Sequence, residues 1–471
     1  MVNISFWECS VLANYKWRHV PGMLIKEDGR RRLITSIVYR LRKLVIPAGR
    51  IYRRTFIRRV KMIAVVGSFG KTTTTRAVAI ALGHPISRHR GNNNGVHLAV
   101  ALLSIPPWAK YRVVEVGISR KGQMAENAKL IRPDIVVVTG IGSEHGTSLG
   151  SLEQTREEKA DMVRMLPETG LAVLNGDDPH VLQMHNYTNA RVLTQGFDSN
   201  NDLQATHISS DLEQGGLFSI SDGNTSFPVR TNLLGRAAIR PIIASLLIAA
   251  ECGVDRDLSL QRLAHVPAAP ERLELIKTRD GADLIVDTLK SAIETVEHAL
   301  QTLEDLPAER KIVVLGEVEE PRGSLGEIYR GLGERIAKTA TCLIFVGSKR
   351  VKRPLFSGAR KAGMAEENMH HVKNSVSKAG ELASKIVQPG DLVLIKGRSS
   401  QKMVRIALAL CGEKVECRVE FCRRKPGCRS CYRLIEGYGE DVQTGAPAGQ
   451  RMERDISNTA HDEQHDVGWL R

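Results

Sequence analysis

Eight short apolar runs, almost unbroken by polar residues, set the main constraint on how this chain folds. Four come early: MIAVV (62–66), RVVEV (112–116), DIVVV (134–138) and LAVL (171–174). Four come late: DLIVD (283–287), KIVVLG (311–316), CLIFVG (342–347) and DLVLIKG (391–397). A strand with one wet face alternates apolar and polar residues. Runs that do not alternate suit parallel strands buried on both faces, with the helical stretches between them as covering layers. A Pro- and Ala-rich linker, VPAAPE (266–271), separates the two groups. The chain therefore reads as α/β, with a central domain over 61–266 built on a mostly parallel sheet and a smaller, Rossmann-like α/β domain over 267–412. A length of 471 residues leaves room for each unit to bury its own core.

The flanks differ from this body. Residues 1–60 form a basic segment, partly helical, 413–436 a cysteine-rich segment, and 437–471 a polar tail expected to be disordered. The formal net charge is +15, and much of the excess is local, because residues 31–60 contain no Asp or Glu. That stretch has few aromatic residues for stacking on bases, so nucleic acid is not the expected partner. Leu33, Ile34, Ile37, Val38, Leu41, Leu44 and Val45 fall at helical spacing with Arg and Lys opposite. Such a helix packs on a neighbouring domain or lies on an anionic membrane surface, and packing is the commoner outcome. No run of about 18 apolar residues occurs, and PIIASLLIAA (241–250) reads as a buried helix. The N-terminus lacks the apolar core of a secretion signal, so the expected location is cytoplasmic, with peripheral membrane contact as an addition.

Immediately after the first apolar run stands GSFGKTTTT (67–75). Gly67 and Gly70 would let backbone N–H groups of the 67–73 loop (Gly67, Ser68, Phe69, Gly70, Lys71, Thr72, Thr73) turn around phosphate oxygens, and the helix that follows adds a favourable dipole. Lys71 would bridge terminal phosphates and Thr72 would offer its hydroxyl to Mg²⁺. This P-loop lacks the glycine that the strict G-x-x-x-x-G-K-[ST] pattern puts at position 65, which is valine. Lys71, Glu115, His145, Asp287, Glu317 and Lys396 all stand at or just beyond strand ends, where ligands of open α/β sheets bind. They are expected to converge on one cleft.

The loop resembles the G-[ST]-x-G-K-T-[ST]-[ST] form of the Mur ligases, and further stretches resemble that family in the same order. They are EVGISRKGQM (115–124), RPDIVVVTGIGSEHGTSLGS (132–151), REEKADMV (156–163), LAVLNGDDPH (171–180), VLGEVEE (314–320) and IKGRSSQKM (395–403). The last two are similar to motifs of the branch that adds D-alanyl-D-alanine. The resemblance spans roughly residues 61–410 and implies a P-loop ATPase central domain and an ATP-dependent carboxylate–amine ligase. In that chemistry ATP phosphorylates a carboxylate and an amine attacks the acyl phosphate, with cell-wall precursor synthesis as the implied setting. It implies Mg²⁺ held by Thr72 and Glu115, a second ion held by His145, and carbamylation of Lys159 to help hold that ion. By the same resemblance Lys71, Lys159 and His145 are catalytic, and Arg272 (in APERLE) and Asp287 join the ATP site.

Two motifs depart from the family pattern. G-x-H-N-x-x-N is replaced by GRAAIRP (235–241), and D-D-x-Y-N-A-N-P by DTLKSAIET (287–295), so base recognition is expected to differ. The segment before the P-loop is also shorter than the domain that grips a UDP-sugar in the family. Cys417, Cys422, Cys428 and Cys431 are spaced C-x4-C-x5-C-x2-C, which suits Zn²⁺ as an additional ion. Two other readings remain open at this level: an ammonia-using amidotransferase ligase subunit, and a non-catalytic nucleotide-binding sensor at a membrane or nucleic-acid surface.

Overall fold

The computed structural model describes residues 36–85, 95–143, 150–422, 427–431 and 433–436. A helical stretch over 36–40 leads into α1 (Arg42–Thr55). The central domain then runs β1 (Lys61–Val66), α2 (Lys71–Ala81), α3 (Gly95–Leu103), β2 (Tyr111–Glu115), α4 (Gln123–Ile131), β3 (Ile135–Val138), α5 (Leu152–Arg164) and β4 (Leu171–Asn175). It continues through β5 (Arg191–Gly196), β6 (Leu203–Asp211), β7 (Gly215–Ser221), β8 (Ser226–Thr231), α6 (Arg236–Glu251) and α7 (Arg256–Ala264). Its eight strands lie in the order β2-β1-β3-β4-β5-β6-β7-β8, parallel as far as β6 and antiparallel beyond.

The unbroken apolar runs have the predicted cause. In β1, Met62, Ala64 and Val66 enter one core while Ile63 and Val65 enter the core on the opposite face. Side chains alternate across a strand, so a strand covered on both sides must be apolar at every position.

The second domain comprises β9 (Glu274–Lys277), β10 (Asp283–Asp287), α8 (Ile293–Asp305), β11 (Lys311–Leu315), α9 (Leu325–Thr339), β12 (Cys342–Val346), α10 (Lys349–Lys361), β13 (Met369–Val372), α11 (Val376–Ile386), β14 (Leu392–Lys396) and α12 (Val404–Leu410). Its strand order is β13-β12-β11-β14-β10-β9, parallel except for β9 at the edge. Crossover in strand order at β11, β14 and β10 gathers several strand ends at one point, which is where ligands of such sheets bind.

Two expectations change. The basic helix runs on to Thr55 and packs through Val45, Ile46 and Tyr52, while Ile37, Leu41 and Leu44 stay exposed, so the apolar face read from sequence is not as a whole the packing face. The strands β5 to β8 carry polar, half-wet residues and gave no unbroken run to find. Among the described residues no helix is long and apolar enough to cross a membrane.

Candidate active site

The P-loop joins β1 to α2, and its glycines are conformational requirements. Gly70 sits at φ 77°, and Gly67 at φ 143° where an added Cβ would meet Thr139 Oγ1 at 2.1 Å. The Ser68 N–H donates to the Gly140 carbonyl at 2.7 Å and its hydroxyl accepts from the Gly142 N–H at 2.9 Å. The loop after β3 thereby fixes the P-loop from behind. Phe69 packs its ring where a side chain on Gly140 would otherwise stand, and Thr73 lines the cleft beside Gly70.

Lys71 donates to the Gly67 and Ser68 carbonyls at 2.7 and 2.9 Å. Lys159, on α5 and 2% exposed, donates to the same Gly67 oxygen at 2.9 Å. Helix α5 is held in place by a capping box between Ser151 and Gln154, and by Glu158, whose carboxylate accepts from the Gly122 and Met124 N–H groups. At the end of β2, Glu115 accepts from the Thr72 hydroxyl at 2.9 Å. A hydroxyl and a carboxylate at that separation form a hard-oxygen donor set of the kind Mg²⁺ takes when it keeps several waters, so these residues fit the implied ion. His145, expected to hold a second ion, lies outside the described residues.

The second domain closes over this loop. The Glu294 carboxylate, in the first turn of α8, accepts from the Ser143 N–H and hydroxyl at 2.7 and 2.9 Å. One turn on, His298 meets the Phe69 ring edge-on with centroids 5.3 Å apart. Burial pushes the His298 pKa down, helped by the nearby Arg240 and Lys396 charges. Glu294 and His298 were not singled out from sequence; their i, i+4 spacing just after the Asp287 strand end was the available signal.

Between the domains lies a cleft of about 110 Å³. Gly70, Thr73 and Thr139 bound it on one side, and Arg272, Asp287, Lys290 and His298 on the other. Asp287 is committed to Lys396: the buried ammonium donates to its Oδ2 at 2.8 Å and also to the Lys290 carbonyl and the Thr295 hydroxyl. Burial lowers the Lys396 pKa while the Asp287 charge opposes that shift. The Arg272 Nε is buried without a partner among the described residues, and it lines the cleft that was expected to hold nucleotide.

The remaining wall is mostly apolar, with Arg240 the charged exception on α6. Ala237, Ala238, Pro241 and Ala244 of α6 face the cleft, at and beyond the GRAAIRP departure, and Gln195 borders it with an amide oxygen that has no partner among the described residues. Glu317 lies apart from this wall, held by Arg398 at 3.0 Å and by the Ser348 N–H.

The cysteine segment follows the second domain. Arg405 donates to the Cys417 and Val419 carbonyls, both at 2.6 Å, and the Cys422 N–H donates to Ser400 at 2.8 Å. Cys417, Cys422, Cys428 and Cys431 are free thiols, and among the described residues no three Cys, His, Asp or Glu are grouped to hold a metal. Burial pushes the Cys428 thiol up to about 11.

Comparison with known proteins bears on the family and the fold. The Mur ligase middle domain matches residues 65–249, and the Mur ligase, glutamate ligase domain matches residues 271–399. The UDP-N-acetylmuramoyl-tripeptide–D-alanyl-D-alanine ligase of Bacillus subtilis is 30% identical over 353 residues, which cover 74% of this chain and 75% of that protein. Its Escherichia coli counterpart is 26% identical over 342 residues, 65% of this chain and 75% of that one. Among solved structures, MurF from Acinetobacter baumannii superposes with a TM-score of 0.68 at 21% identity, covering 78% of this chain and 80% of that one. MurF ligase from Thermotoga maritima in complex with ADP gives 0.68 at 21% identity, covering 79% and 83%.

Proposed function

Because the chain belongs to the Mur ligase family and is an ATP-dependent acid–amino-acid ligase of peptidoglycan-precursor synthesis, we propose that its cleft joins a UDP-N-acetylmuramoyl-tripeptide to the amine of D-alanyl-D-alanine, the substrates its relatives are named for. The observation that carries the reading is the convergence of Lys71 and Lys159 on the Gly67 carbonyl beside the Thr72–Glu115 pair. The Lys71 cation and a hard-oxygen pair at one P-loop, with Lys159 close behind, suit a γ-phosphoryl group in transfer, where positioning and charge neutralisation do most of the catalytic work.

In this proposal Thr72 and Glu115 would hold Mg²⁺, which would supply charge neutralisation at the phosphates. Lys71 follows the transferring phosphoryl group, while Arg272 and Lys290 face the nucleotide from the second domain. Lys159, as a carbamate, would hold a second ion together with His145. The Glu294–Ser143 contact holds the two domains closed, which excludes water from the acyl phosphate. The oxygen leaving as phosphate comes from the substrate carboxylate, and the amine nitrogen replaces it. A ligase of this kind needs neither the glutaminase partner nor the sensor role that the residues alone left open, and the four cysteines take no part in it.

The experiment is ADP release measured with each substrate alone and with both together. The proposal expects sustained, multiple-turnover release only with the pair, together with formation of the amide by mass spectrometry. ATP turnover that no carboxylate–amine pair stimulates would contradict it.

A further inference from the structure

Helix α1 and the turn before it present two faces with different fates. Inward, Val45, Ile46 and Tyr52 pack on the central core, and Gly49 lies so close to α3 that a Cβ there would meet Ala99 at 3.0 Å. Arg53 is buried, donating to the Ile57, Ile131 and Arg132 carbonyls and pairing with Asp134 at 3.1 Å. These contacts fix the rotation of the helix about its axis. Outward, Ile37, Leu41, Leu44 and Ile51 are 47, 47, 69 and 60% exposed. Steps of four, three and seven residues align them as one stripe along the axis. Exposed Arg40, Lys43 and Arg54 flank that stripe, and no acidic residue occurs anywhere from 31 to 60.

We infer that this stripe is a docking surface for an anionic lipid bilayer, on which the helix lies flat. Leu44 and Ile51 enter the acyl boundary, and the flanking cations sit at headgroup level with their stems along the apolar surface. Charge and shape select this occupant over the others. A nucleic acid offers phosphates but nothing for an axial row of Leu and Ile. A second copy related by a two-fold axis would set cations against cations. An anionic headgroup layer over hydrocarbon matches both parts of the surface. A helix lying flat makes a peripheral contact, and one that depends on charge weakens with salt. It is independent of the ligase reading, so vesicle binding and catalysis can fail separately.

The test uses the full chain and sedimentation with vesicles of phosphatidylcholine alone or mixed with phosphatidylglycerol, at low and high salt. Co-sedimentation is expected only with the mixed vesicles and is lost at high salt. Leu44→Glu with Ile51→Glu should weaken it by about tenfold or more, leaving the unfolding midpoint and ADP release unchanged. Arg40→Glu with Lys43→Glu, which spares the apolar stripe, should reduce the dependence on phosphatidylglycerol. Absence of binding to mixed vesicles at low salt would overturn the inference, as would binding indifferent to both double variants. A wild-type dimer that the stripe variant turns into monomer would also overturn it, by assigning the surface to a second copy.

Discussion

Lys159 of α5 and Lys71 of α2 donate to one oxygen, the Gly67 carbonyl, at 2.9 and 2.7 Å. Two like charges held so close repel, the more so when one of them is buried. Nucleotide phosphates relieve that repulsion from one side, and conversion of Lys159 to a carbamate relieves it from the other, by turning one cation into an anion. Activity should therefore depend on dissolved CO2. Assays in CO2-depleted buffer are expected to run about tenfold slower or worse and to recover with bicarbonate, with Lys159→Ala insensitive to both. Equal rates with and without CO2 would remove carbamylation from the account.

The Lys396–Asp287 pair gives a stability prediction. The Lys396 side chain is fully buried and that of Asp287 nearly so. Removing one member strands the other's charge in a dry site. Lys396→Met is expected to cost about 3–5 kcal/mol in denaturant unfolding, whereas Lys396→Met with Asp287→Leu should recover most of it. Both variants should lose ATP affinity, because Asp287 borders the cleft.

Much of this architecture was legible in the sequence. The eight apolar runs located eight strands to within a residue or two, because burial on both faces leaves a pattern that depends on nothing distant. Whereas the Thr72–Glu115 pair came from the family resemblance, the P-loop was legible for a similar reason, since a strand end and a helix start place it locally. Glu294, His298 and Gln195 were not. Their roles come from the second domain meeting the first, a tertiary relationship that no local period encodes. The cysteine spacing did not translate into a grouped site: among the described residues no three Cys, His, Asp or Glu come together, and the segment's backbone serves Arg405.

His298 supplies the pH dependence. Its folded pKa lies below its ordinary value of 6.5, first because of burial and then because of Arg240 and Lys396. The folded state thus binds this proton more weakly than the unfolded state. The resulting stability is fully present above pH 6.5 and is lost as pH falls through the folded value. Unfolding free energy measured across that window should flatten in His298→Gln, by at most about 1.4 kcal/mol per pH unit.

The apolar wall formed by Ala237, Ala238, Pro241 and Ala244 predicts weak discrimination between nucleobases. The small apolar side chains of that wall supply no donor or acceptor to read a base edge, Arg240 beside them is tied to Asp177, and Gln195 is an amide that either flip can adapt. GTP should support ligation with kcat/KM within about 100-fold of ATP. A preference for ATP above about 10⁴-fold would show a base-reading contact elsewhere.

The central claim is that ATP phosphorylates a carboxylate at this P-loop. Its most direct test is ligation of a substrate carboxylate labelled with ¹⁸O, followed by mass spectrometry of the phosphate released. Lys71→Ala serves as the control, expected to fall about 10²–10³-fold in kcat. An acyl phosphate route predicts one ¹⁸O in each phosphate, carried over from the carboxylate. Unlabelled phosphate, its oxygen drawn from water, would contradict it.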